Sequence, residues 1–113
     1  MHELSLMNAI LDAIMEQAAR ERFSRVHRVS LEVGQLCSVA VEALAFCFDI
    51  VTPGTIAAHA RLDLVSVPGE GVCERCQSHC IVSSRVDPCP FCGAGYVDII
   101  GGDQILIKEL EVE

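Results

Sequence analysis

The chain has 113 residues, about half of them apolar, with 16 acidic side chains against 8 basic ones and a net charge of -8. That length holds one compact domain, or a domain with a small appended module, and the apolar share excludes a disordered chain. The acidic balance argues against a protein that grips nucleic acid through a general electrostatic footprint.

Residues 4 to 20 carry Leu4, Met7, Ile10, Leu11, Ile14, Met15 and Ala18 at helical spacing, with Asn8, Asp12, Glu16 and Gln17 opposite. This is an amphipathic helix that starts almost at the first residue. Glu3 and Asp12 fall where a signal peptide would be apolar, so no leader is expected. The one basic cluster, Arg20, Arg22, Arg25 and Arg28, reads as a helix C-terminus complementing its own dipole. Residues 26 to 33 alternate Val29, Leu31 and Val33 with Arg28, Ser30 and Glu32, which is a strand with one buried face, ended by Gly34.

Ser38 is placed to cap a second helix over residues 39 to 51, with Val41, Leu44, Ala45 and Phe48 on its inner side and Cys47 a small buried hydrophobe. Thr52-Pro53-Gly54 stops it. Glu42 and Asp49 interrupt this longest apolar run, so no segment is expected to cross a membrane. A second strand spans 61 to 67 and ends at Pro68-Gly69. A last strand runs from Gln104 to Val112, with Leu106, Leu110 and Val112 facing one way. The pattern predicts an α+β fold: a small sheet of about three strands packed with two helices, plus an inserted zinc-ribbon module. Residues 1–69 and 96–113 form the α/β domain, and 70–95 the module.

The module carries Cys73-Glu-Arg-Cys76 and Cys89-Pro-Phe-Cys92, with twelve residues between the pairs. Two residues between cysteines let a tight turn aim both thiolates at one point. Two such turns supply a tetrahedral four-sulfur cage suited to Zn(II) or a single iron. A segment of this size buries too little apolar surface to fold alone, whereas structural zinc contributes on the order of 10 kcal/mol. The metal is therefore expected to be its core. His79 and Cys80 lie beside the quartet and read as hairpin-turn residues, the alternative being exchange into the metal site. Cys37 falls in a loop, and His27 and His59 read as structural or exposed. Seven cysteines are an odd number, and four have metal spacing, which fits a soluble protein of a reducing, cytoplasmic compartment.

Met1-His2-Glu3 is the second informative place. A histidine at position two lets the α-amine, the backbone nitrogen of residue 2 and the imidazole close fused chelate rings, an all-nitrogen set suited to Ni(II) or Cu(II). The backbone nitrogen or carboxylate of Glu3 is placed to complete it; the plainer reading is a solvent-exposed histidine. No Ser-His-Asp or Cys-His constellation, phosphate loop or carboxylate pair stands out, so the chain is not expected to be an enzyme.

Met1-His2-Glu3-Leu4-Ser5, Leu44-Ala45-Phe46-Cys47-Phe48 and the two Cys-x-x-Cys pairs together resemble the HypA/HybF family of hydrogenase nickel-incorporation proteins, over essentially the whole chain. The resemblance implies a nickel metallochaperone that helps mature [NiFe]-hydrogenase. It implies Ni(II) cargo at Met1, His2 and Glu3, and structural zinc on Cys73, Cys76, Cys89 and Cys92. It also implies two partners, a GTPase of nickel insertion and the hydrogenase large-subunit precursor, with neither nucleic acid nor membrane. Monomer and homodimer both stay open. Some relatives carry a carboxylate near the start of the second helix where this chain has Ala40 and then Glu42, so no acid of that helix is assigned to nickel. Two other readings compete on residues alone: a rubredoxin-like iron electron carrier and a zinc-ribbon adaptor protein.

Overall fold

A computed structural model describes residues 3–93 and 96–113. Its elements run α1 (Glu3–Glu21), β1 (Val26–Gly34), α2 (Val41–Val51), β2 (Arg61–Val67), β3 (Gly69–Cys73), β4 (His79–Val82), β5 (Val97–Gly101) and β6 (Ile105–Val112). The architecture is α+β, with two three-stranded sheets ordered β2-β1-β6 and β4-β3-β5. One sheet was expected; the second arises because the cysteine segment pairs its own strands. No helix among the described residues is long and apolar enough to cross a membrane.

The chain divides into two compact units. The helical unit runs to Leu31 and takes in Ser38–Leu64 and Ile107–Glu113. The ribbon unit comprises Glu32–Cys37 and Val65–Leu106, and so is wider than the interval 70–95.

In the helical unit α1 packs against α2, and the apolar stripe of α1 buries Met7, Ile10, Leu11, Ile14 and Ala18. Leu4 and Met15, at the edges of that stripe, stay nearly half exposed. Arg22, in left-handed backbone, ends the helix directly after Glu21. Val26, Val29 and Leu31 of β1 and Leu44 and Phe48 of α2 are buried as well. The second helix departs from expectation at its start. Its N-cap is Ala40, with no side-chain cap; Ser38 lies two residues too early to reach the free amides of the first turn. Its buried residues are Leu44, Cys47 and Phe48, while Val41 and Ala45 are exposed. At its end the Thr52 hydroxyl donates to the Phe48 carbonyl at 2.7 Å.

Arg28 belongs to no helix terminus. It sits on the central strand β1, where Nη1 donates to Asp63 of β2 and Nη2 to Glu109 of β6, each at 2.8 Å, and Nε lies 3.0 Å from Glu111. One cation thus ties both flanking strands to the middle one. The Arg28 hydrogen bond is the main cause that holds the Asp63 carboxyl below its ordinary range. A carboxyl depressed in the folded state stabilises the fold above its unfolded value, and the gain is lost as pH falls through the native value. We expect urea midpoints of the native protein to fall more steeply than those of Asp63→Asn between about pH 6 and about pH 3. Parallel profiles would show that the pair contributes nothing. His27 pairs with Glu113 at 2.8 Å, and His59 is exposed in left-handed backbone; both match the structural or exposed reading.

The ribbon unit has an apolar core of its own. Leu36, Cys80 and Val82 are buried together, with Val97 and Ile99 packed against them. The metal was expected as the core of this module; the apolar cluster stands beside the cysteines and draws in Leu36 from outside the 70–95 interval. Backbone bonds fix that insertion: Gln35 N–H donates to Val67 O at 2.8 Å and Leu36 N–H to Gly102 O at 2.9 Å. Gly102 has φ +75, and a β-carbon there would meet Pro68 O at 2.1 Å, so only glycine fits this crossing.

Candidate metal centre

Two turns with the same backbone pattern build the site. In the first, the amides of Arg75 and Cys76 donate to Cys73 Sγ at 3.4 and 3.5 Å, and Gln77 N–H donates to Cys73 O at 3.0 Å. In the second, the amides of Phe91 and Cys92 donate to Cys89 Sγ at 3.4 and 3.5 Å, and Gly93 N–H donates to Cys89 O at 2.9 Å. Each turn closes on a left-handed residue four positions after its first cysteine, Gln77 with φ 60 and Gly93 with φ 70. The glycine following Cys92 is thereby explained.

The turns bring the four thiols together, with all Sγ atoms within 4.8 Å of one another. Cys73 Sγ lies 3.7 Å from Cys92 Sγ, and Cys76 Sγ 3.6 Å from Cys89 Sγ. A tetrahedral zinc site with bonds of about 2.3 Å has sulfur–sulfur edges of about 3.8 Å. The spacings fit that polyhedron, and no disulfide joins these cysteines. Cys73 and Cys89 are buried, whereas Cys76 and Cys92 face solvent.

The surroundings favour thiolate. The Ser78 side chain, with Oγ 3.2 Å from Cys76 Sγ, is the largest cause and its amide the next in pulling Cys76 down to about 6. The Cys92 amide, then that of Phe91, lowers Cys89. Since the thiolate is the ligand, donors already aimed at sulfur reduce the cost of deprotonation on metal binding. Ser78 was not visible as a functional residue in sequence; serine two places after a cysteine is too common to signal anything. An all-sulfur donor set suits Zn(II) and iron and does not suit Ca(II) or Mg(II).

His79 and Cys80 are strand residues of β4 and do not fill a turn. They point to opposite faces, as strand alternation requires. Cys80 is buried with Sγ 3.6 Å from Gly71 O, and burial first, then the neighbouring thiolates, push its own thiol up. His79 is exposed and lies 3.2 Å from Glu70. Neither belongs to the four-sulfur cluster. Phe91 and Tyr96 are 69% and 81% exposed, so these two aromatic side chains do not wrap the sulfurs. At the other candidate site, Met1 and His2 lie outside the described residues; Glu3 opens α1.

A helix-and-sheet unit with a four-thiolate knuckle unit defines a small zinc-ribbon metalloprotein. The chain belongs to the HypA family, described as hydrogenase/urease nickel incorporation, metallochaperone, which matches residues 1–112. It is 45% identical to hydrogenase maturation factor HypA of Azotobacter chroococcum and 46% identical to that of Alkalilimnicola ehrlichii. Both alignments span 113 residues and the full length of each chain. The fold is similar to the solution structure of the Ni metallochaperone HypA from Helicobacter pylori, with a TM-score of 0.79 at 21% identity over 99% of this chain and 97% of that one.

Proposed function

We infer that this protein is a nickel metallochaperone of hydrogenase maturation, with Ni(II) as cargo and zinc as a structural ion. The family match over residues 1–112 carries this reading, supported by full-length identity to hydrogenase maturation factors. Within it, Cys73, Cys76, Cys89 and Cys92 hold zinc, supported by their sulfur spacings and the amides aimed at them. The α-amine of Met1, the His2 nitrogens and Glu3 hold nickel. Residues 70–95 serve as the zinc ribbon, within a unit that also takes in Glu32–Cys37 and the rest of Val65–Leu106, and the helical unit serves as the nickel domain. The cargo passes to a GTPase partner and the hydrogenase large-subunit precursor in the cytoplasm, and the chain itself catalyses no reaction.

The division of labour follows from ligand chemistry. Thiolate cages are soft and suit a zinc ion kept for the life of the fold. A chelate of nitrogens at a chain terminus selects Ni(II) and has open edges from which the ion leaves. Metal analysis of untagged protein before and after nickel addition tests the assignment. Zinc should stay constant while an equimolar amount of nickel is gained. Nickel that enters only as zinc leaves would place the cargo on the cysteines and refute the two-site reading.

A further inference from the structure

Helix α2 is apolar nearly all the way round yet is covered on one side only. Nine of its eleven residues are apolar, the exceptions being Glu42 and Asp49, but only Leu44, Cys47 and Phe48 are buried. A helix with apolar residues on every face is ordinarily enclosed on every face. Here Phe46 is 67% exposed and Ile50 52%. At 100° per residue these two stand one turn apart on the side away from the buried trio, and Glu42 and Asp49 lie next to them. No lysine, arginine or histidine occurs in the helix.

We propose that this outward face of α2 is a docking surface for an amphipathic helix of a partner protein whose apolar seam is flanked by lysine or arginine. Phe46 and Ile50 form the short ridge that a facing helix accepts between its own side chains. The carboxylates of Glu42 and Asp49 select the charge beside that seam. The same carboxylates disfavour a second copy of this chain: a two-fold contact through α2 would set them against themselves, between protomers that each carry -8. The inference is independent of the metal assignments and would survive their failure.

The test uses the full-length chain and two synthetic helical peptides, each with a leucine seam, one flanked by lysine and the other by glutamate. Binding is read by anisotropy and mapped by backbone amide shifts. The lysine peptide should bind with shifts confined to residues 41–51, and the glutamate peptide should bind at least about tenfold more weakly. Phe46→Ser with Ile50→Ser should weaken the lysine peptide by about tenfold or more with an unchanged melting temperature, because both side chains start exposed. Glu42→Lys with Asp49→Lys should reverse the preference between the peptides. Equal binding of both peptides overturns the proposal, as do shifts spread over other acidic surface. Dimerisation of the native chain that Phe46→Ser abolishes overturns it too, since the occupant would then be a second copy.

Discussion

Replacing Cys89 by serine is expected to unfold the ribbon unit and leave α1 and α2 folded. Cys89 is 1% exposed, accepts two backbone amides on its sulfur and faces Cys76 across 3.6 Å. Serine keeps a hydroxyl in place but removes one of four soft ligands, and structural zinc sites supply on the order of 10 kcal/mol through the full set. What remains is a core of three buried side chains with two more packed against it, too little to hold three short strands by hydrophobic burial alone. Hydrogen exchange should show the amides of β3, β4 and β5 losing protection, while those of α1 keep theirs. Stripping zinc from the native chain with a chelator should reproduce that pattern. Retained protection in β3 after either treatment would show that the apolar core is sufficient and that the metal is not structural.

Replacing His2 by alanine, or adding a run of about six residues before Met1, should abolish nickel binding with little change in melting temperature. The two variants fail for different reasons: the first loses the imidazole, while the second moves the α-amine out of the chelate and leaves the imidazole in place. An isolated-histidine site would lose nickel only in the first variant. Both imidazole and amine must be free of protons to bind, with unperturbed values near ~6.5 and ~8, so affinity should fall steeply as pH drops through that range. Calorimetric titration of nickel into the three proteins decides the matter. Equal affinity in all three would remove the terminus from the function, and a large loss of thermal stability in His2→Ala would make that histidine structural.

Much of the fold was readable because its helices and strands have clean periodicity. The limits of α1, β1 and β2 fall within about one residue of those expected, and the four ligands of the cage announce themselves by spacing. What was not readable depends on long-range contact. Arg28 looked like one of four arginines at a helix end because nothing local links it to Asp63, Glu109 and Glu111, residues 35 to 83 positions away. Leu36 sits in a turn and gives no sign that it belongs to the core of the ribbon. His79 and Cys80 alternate over too few residues to be told from a turn, and the pairing of β4 with β3 is what makes them a strand. Val41 and Ala45 misled in the other direction. Periodicity assigns the inner face of a helix that is apolar throughout only weakly, and the structure buries a narrower stripe.

The two turns of the cage share a backbone path but not a residue at its hardest point. Left-handed backbone costs a residue with a β-carbon roughly 1–2 kcal/mol and glycine almost nothing. Gln77 bears that cost in the first turn, whereas Gly93 avoids it in the second. Pro90 adds to the difference, because its ring fixes φ at the second position of the turn. The conformational cost of closing the cage therefore falls more heavily on the Cys73 turn than on the Cys89 turn. The residue that follows each pair thus sets how much conformational strain its turn carries inside the finished cage.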